Sequence, residues 1–502
     1  MATMKKAREW IAGLPGHDAF KALEEITTWL DSINTTEGFK PDYRLELIDL
    51  LDQAAKNHQQ KLALEYLGAP RLRKFHENRL WQACFGFWKT LGAAYLQCIE
   101  QFQAGVPGSG KVKKDLPLLA GRTLRALTVQ IKWFLQRYAL IEDRIWKDLG
   151  RVYLFAESQG FGAQRTAIYP GAHGESSIQE EFLKALMLVV SSPDSLPPTG
   201  IHIVERAVAH LGKGFVIKPR AALHCNFFFD LSMHKPPSRV HKGMAFGPMV
   251  RFFGAGAAEQ ALRDLMREIE DKDGVPSDVH LGGDFDKEAV LSVLAHLEEY
   301  WAGTPAERTV QRRELATRLT VVHGFPEVLR WIGAVVKTNP PENTDPEASE
   351  CWIAFNASDG GYGALLPQVS GDWVHVGNLL GLRTETETNC RVGIVRRIAR
   401  DRHGQRRVGI QVLGKVAILV SLSPADSADT SDTASGAASA VLLSDKPDKN
   451  GEVALLMRAG GFMQKQRIRM RVRDRAYLLA PSALIEGGKE FDWARFKALK
   501  QL

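Results

Sequence analysis

The 502-residue chain reads as a multidomain α+β protein with an all-helical N-terminal region, a small α/β middle domain and a β-rich C-terminal region. Three observations predict that class. From about residue 18 to 190 apolar residues recur at helical spacing. Between about 200 and 255 short apolar runs bounded by Gly and Pro replace it, and helical spacing resumes over 258–271 and 287–302. After Pro305 come many short strands divided by Gly-rich turns, which suit a barrel or a sandwich. At roughly 150 residues per domain the length accommodates three domains, placed at 1–195, 196–304 and 305–502.

In the first region Asp18 is placed to cap a helix whose Phe20, Leu23, Ile26, Trp29 and Leu30 share one face. Amphipathic segments follow over 41–66, 76–103, 119–158 and 177–190, with Gly/Pro/Lys-rich breaks at 105–114 and 191–200. No fixed repeat period emerges, so a solenoid is not indicated. In the middle region 214–217 and 223–231 read as strands. In the third, strands are expected over 318–322, 351–355, 391–398, 407–413, 416–422, 452–457 and 466–472, with a helix inserted at 324–333. Residues 423–440 (SPADSADTSDTASGAASA) are nearly all small or polar and cannot bury a core, which predicts a disordered loop.

Hydrophobic residues at 45% and charged residues at 25% exclude a wholly disordered or fibrous chain. Lys and Arg outnumber Asp and Glu by 65 to 58, a net +7. Residues 391–407 hold seven Arg and one Asp, and 465–475 six basic residues and one Asp, which leaves the rest slightly acidic. An anionic partner is therefore expected at the C-terminal end. Cys84, Cys98, Cys225, Cys351 and Cys390 are odd in number and form no CxxC pair, against a disulfide framework or a zinc knuckle. Asp18, Lys21, Glu24 and Glu25 interrupt the N-terminus before an apolar targeting core can form. No apolar run approaches the ~20 residues of a membrane span. A cytoplasmic protein without membrane insertion is expected.

Catalytic and metal constellations are not apparent. Gly105–Val112 nearly matches a phosphate loop, but Val112 replaces the magnesium-binding hydroxyl and the loop follows a helix, so it reads as a helix–helix linker. The Gly282–Phe285 run (GGDF) before Asp286 reads as the start of a helix rather than a cyclase signature. The histidines show no metal-ligand spacing. The chain is expected to be no enzyme and to carry no cofactor.

The informative segment lies after residue 305. Arg312, Arg313 and Arg318 immediately precede the strand at Leu319–Val322, and Arg308 stands four residues before Arg312. A later strand runs into Asn356-Ala-Ser358-Asp-Gly-Gly361, and Arg391-Val-Gly393-Ile-Val395-Arg-Arg397 is followed by Arg407-Val408-Gly409-Ile410, which reads as a hairpin. In that order, over roughly 305–420, these pieces resemble the PilZ domain. The resemblance implies a six-stranded β-barrel with insertions over 305–502 and cyclic di-GMP as ligand, held by Arg308, Arg312, Arg313, Arg318, Asn356, Ser358, Gly361 and Arg397. The chemistry agrees. Arg forks onto phosphate and guanine and stacks on purines, Asn offers an amide carbonyl to a guanine N–H edge, and Gly permits close backbone approach.

The expected function is that of a bacterial cyclic di-GMP receptor whose helical region docks an unidentified protein partner. Binding would order the segment 307–318 and shift the middle helices. The alternative is RNA or DNA binding along Arg467, Arg469, Arg471 and Arg473, which alternate with Ile468, Met470 and Val472.

Overall fold

The computed structural model describes residues 4–68, 74–169, 174–303, 313–337, 349–367, 373–385, 387, 389–401, 403–414, 416–425, 437–488 and 490–502. The chain divides into two compact units, Met1–Ala306 and Glu307–Leu502.

The first unit opens with eight helices: α1 (Met4–Ala12), α2 (Ala19–Thr35), α3 (Pro41–Leu67), α4 (Lys74–Gln103), α5 (Leu116–Leu135), α6 (Asp143–Ser158), α7 (Ile178–Val190) and α8 (Pro198–Leu211). Asp18 caps α2 as its position predicts, its Oδ1 accepting from the Lys21 amide at 3.0 Å. The segment expected as helical over 119–158 is two helices, because the chain turns at Tyr138 with φ 51°. The near-phosphate loop is a helix–helix connection whose Lys111 Nζ donates to Asp42 at 2.7 Å.

Helix α5 is buried almost all round, so its polar side chains need internal partners. Arg122 donates to Asp49 at 2.6 Å and to the Tyr95 hydroxyl at 2.8 Å. Arg125 forks onto Glu181 at 2.7 and 3.0 Å. Burial alone would raise the Glu181 pKa, but Arg125 and Lys184 outweigh it and hold the carboxyl well below its usual range. Lys132 Nζ donates to Glu205 at 2.9 Å and to His202 Nδ1 at 2.8 Å. His202 is therefore the Nε2–H tautomer, which donates to the Leu281 carbonyl at 2.8 Å.

The middle region forms a four-stranded antiparallel sheet, β1 (Val216–Lys218), β2 (Phe227–Asp230), β3 (Ser238–Arg239) and β4 (Val250–Gly254), in the order β1-β4-β2-β3. Of the strand expected over 223–231 only 227–230 forms, and 219–226 is a loop. Phe229 packs against Trp146 of α6 at 6.4 Å and Phe182 of α7 at 5.6 Å. Helices α9 (Ala258–Asp271) and α10 (Lys287–Trp301) complete the unit.

The second unit holds two closed barrels. The first comprises β5 (Arg313–His323), β6 (Glu350–Ser358), β7 (Gly361–Leu365), β8 (Leu379–Thr384), β9 (Arg391–Arg400) and β10 (Arg406–Val412), with helix α11 (Phe325–Lys337) inserted after β5 as expected. The second comprises β11 (Ile418–Pro424), β12 (Ala438–Leu442), β13 (Glu452–Arg458), β14 (Ile468–Val472), β15 (Arg475–Gly487) and β16 (Phe491–Gln501). Both close in one cyclic order, first-second-third-sixth-fifth-fourth strand, with every pair antiparallel. The segment expected as one barrel with insertions thus repeats the topology. Of the loop expected over 423–440, residues 423–424 end β11 and 438–440 begin β12, while 426–436 lie outside the described residues.

One core joins the barrels. Phe325, Val328, Trp331 and Ile332 of α11 pack with Val322, Leu379, Val392 and Ile394 of the first barrel and with Val441, Leu456 and Phe491 of the second.

Candidate functional site

Strand alternation decides which side chains the first barrel shows to solvent. Leu319 and Val321, Trp352 and Ala354, Tyr362 and Ala364, Val395 and Ile398, and Val408 and Ile410 are buried inside it. The outward residues fall into transverse rows through the pairing. One row runs Arg318, Ile353, Leu365, Arg407, Ala399; the next runs Glu314, Asn356, Gly363, Gly409, Arg397; a third runs Ser358, Gly361, Gln411.

Three strand pairs of this barrel carry a register shift, and all three border the middle row: between Glu314 and Thr317, between Ala354 and Asn356, and between Gly409 and Ile410. A bulge re-aims side chains. On β6 the unpaired residue is Phe355, so Phe355 and Asn356 face outward in succession. On β9 it is Arg396, so Arg396 and Arg397 do the same. Arg396 forks onto Glu486 of β15 at 2.9 and 2.6 Å and donates to Gln411 at 2.7 Å. The exposed Arg397 rises beside Gly409, where an added Cβ would lie 3.4 Å from the Arg397 Cβ.

The result is a shallow strip with a glycine floor. A Cβ on Gly363 would lie 2.5 Å from Asn356 Oδ1 and 2.9 Å from the Phe355 ring, so both side chains lean over that glycine. The Arg407 guanidinium stands 5.5 Å from the Phe355 ring centroid, and its Nη2 donates to Asp401 at 3.2 Å. Asn356 Oδ1 is buried and has no hydrogen-bond partner among the described residues. A buried acceptor of this kind is uncommon and suits a donor brought by a ligand. Three interstrand gaps of ~4.8 Å separate β6 from β9, about 14 Å in all. A guanidinium at the β9 end, a cation–π ledge and a glycine floor suit a flat, anionic, hydrogen-bonding ligand.

Of the sequence-predicted residues, Asn356, Ser358, Gly361 and Arg397 lie on this strip, and Arg318 lies on the adjacent row with its Nε 3.7 Å from Glu385. Arg313 is the exposed first residue of β5, opposite Ala357. Arg308 and Arg312 lie outside the described residues. Gly361 has a packing reason too, since an added Cβ would meet the Ile410 carbonyl oxygen at 2.0 Å. The sequence reading missed Phe355, Gly363 and the part of Arg407 and Gly409 beyond marking a hairpin. The outward pairs Phe355-Asn356 and Arg396-Arg397 break the alternation of their strands, and that break was the available signal.

On the second barrel, β14 ends at Val472, so Arg469 and Arg471 lie within the strand while Arg467 and Arg473 flank it. Arg473 sits in a left-handed turn with φ 51°. The hairpin from β12 to β13 carries no NxSxxG, and no Arg precedes β11 in the connection from β10.

Residues 5–220 match the family described as the N-terminal domain of the cyclic-di-GMP receptor FimW, and residues 336–418 match its middle PilZ domain. No curated protein matches the chain. The second match spans β6 to β10 and lies in the middle of the sequence, ahead of the second barrel, rather than at the C-terminal end. The NxSxxG hairpin and this match agree: the chain carries a PilZ-like domain in the middle of its sequence, behind a region that matches the FimW N-terminal domain.

Proposed function

We propose that the protein is a cyclic di-GMP receptor that binds the dinucleotide on the outer face of its first barrel. The observation that carries the reading is the middle row: three register shifts converge on it and it holds the unpartnered Asn356 amide oxygen between a glycine floor and Arg397. The description of the FimW family supports the ligand. In this reading Arg397 and Arg318 fork onto phosphate or guanine, Asn356 accepts from a guanine N–H, Ser358 supplies a small hydroxyl and Phe355 with Arg407 forms a ledge for one base. Arg308 and Arg312 add positive charge ahead of β5, and Arg313 at its first position. The helical unit passes the signal to a protein partner.

Fluorescence anisotropy of labelled cyclic di-GMP with the full chain tests the assignment. A bidentate Arg contact is worth roughly 1–3 kcal/mol, so Arg397→Ala should weaken binding about 10- to 100-fold. Asn356→Ala should weaken it comparably while leaving the ligand-free protein no less stable, because it removes a buried acceptor that no group satisfies. Unchanged binding in both variants contradicts the placement of the site.

A further inference from the structure

The four-stranded sheet of the first unit has a second face, turned away from α6 and α7. Lys218, Phe252, Phe228 and Ser238 form one row across it. Phe246, from the loop between β3 and β4, packs edge-on against Phe228 at 5.0 Å and Phe252 at 4.9 Å. The loops around this small aromatic core expose large apolar side chains: Leu223 is 84% exposed, and Met233 and Met244 are 42% exposed. Leu223 precedes His224, whose carbonyl oxygen lies over Gly254 where a Cβ would approach to 2.0 Å.

The same stretch is one-sided in charge. Residues 213–251 contain seven Lys and Arg and one acid, Asp230, a net +6. Arg251 forks onto Glu157 at 3.1 and 2.5 Å and Arg239 donates to the Ala302 and Tyr300 carbonyls, which leaves the other five to face solvent. Asp230 is already engaged, its Oδ1 accepting from the Ser232 amide at 2.9 Å and hydroxyl at 2.6 Å. Lys218, Arg220, Lys235 and Lys242 are exposed and make no ion pair among the described residues. Nucleic-acid phosphates would neutralise these cations but leave Leu223, Met233 and Met244 in water. An anionic bilayer surface satisfies both sets, because the headgroups pair with the cations and the acyl boundary takes the apolar side chains.

We infer that this face docks the protein peripherally onto an anionic lipid bilayer, independently of the dinucleotide site. The test is co-sedimentation of the full chain at low ionic strength with vesicles of equal parts phosphatidylglycerol and phosphatidylcholine, against vesicles of phosphatidylcholine alone. Binding is expected only to the phosphatidylglycerol vesicles, and high salt should release it. Each cation near such a surface contributes about fivefold in affinity, so Lys218→Glu with Lys242→Glu should weaken binding at least about a hundredfold. Leu223→Ser with Met244→Ser should weaken it about tenfold while leaving the salt dependence in place. All four positions are exposed, so melting temperatures should hold, and Lys235→Glu alone offers a milder second variant. No sedimentation with phosphatidylglycerol vesicles overturns the inference, as does sedimentation that both double variants leave unchanged. Binding of a DNA duplex through Lys218 and Lys242 without vesicle binding would assign the face to nucleic acid and also overturn it.

Discussion

Gly361 and Gly409 sit two positions apart in the pairing of β7 and β10, yet the barrel asks different things of them. An added methyl on Gly361 would meet the Ile410 backbone oxygen at 2.0 Å, and backbone cannot yield as a flexible side chain can. At Gly409 the nearest atom is the Arg397 Cβ at 3.4 Å, an ordinary contact. Gly361→Ala should therefore lower the melting temperature with or without dinucleotide. Gly409→Ala should fold normally and weaken dinucleotide binding about tenfold, since it raises the floor under the ligand. Thermal melts paired with a titration separate the two, and equal melting losses would contradict the assignment of Gly409 to the ligand surface. Residue identity was legible here only in part. Asn356, Ser358 and Arg397 stood out because they stand in the ordered motifs that resemble the PilZ domain. Phe355 did not, because its outward turn comes from a bulge that no single residue announces.

At the scale of elements, periodicity did well where one face of an element is buried and poorly elsewhere. Helix α9 and the start of α10 fall where apolar spacing places them. Strands β3, β4, β7, β8, β12, β15 and β16 escaped notice. Gly361–Leu365 is short and carries glycine at outward positions, Leu379–Thr384 does not alternate in burial, and β15 carries three register shifts. The polar contents of α5 were equally hidden, since nothing in the sequence places the partners of Arg122, Arg125 and Lys132 beside them. His202 shows the consequence. Burial, then the neighbouring Lys132, pushes its pKa from 6.5 down to about 3, and burial lowers that of His296 as well. Between those values the unfolded chain holds a proton that the folded chain lacks. For His202, stability therefore falls as pH drops from about 6.5 toward 3, by about 1.4 kcal/mol per pH unit. His202→Gln keeps an acceptor for Lys132 and a donor for Leu281 without a titrating ring. Its melting temperature should fall less between pH 6.5 and 5 than that of the parent, and parallel slopes would count against the His202 account.

At the scale of the molecule, the second unit is a pair of barrels with one strand order and one set of ligand marks. Repetition of the topology was not legible, because the second barrel has neither the NxSxxG hairpin nor an Arg segment ahead of its first strand. What it contributes instead is a shared core through α11 and the Arg396–Glu486 fork, anchored one residue from Arg397. Charge shifts in meaning at this scale too. The two arginine-rich segments after residue 390 suggested a single basic end, but 213–251 carries a comparable excess that goes unnoticed when the arginines of the barrel strands dominate the count. The central claim is that the outer face of the first barrel binds a guanine dinucleotide, and calorimetric titration of the full chain with cyclic di-GMP tests it most directly. Saturable heat at micromolar ligand, abolished when Asn356→Ala and Arg397→Ala are combined and absent with cyclic di-AMP, is the predicted result. No heat at tens of micromolar, or equal heat from the double variant, would contradict it.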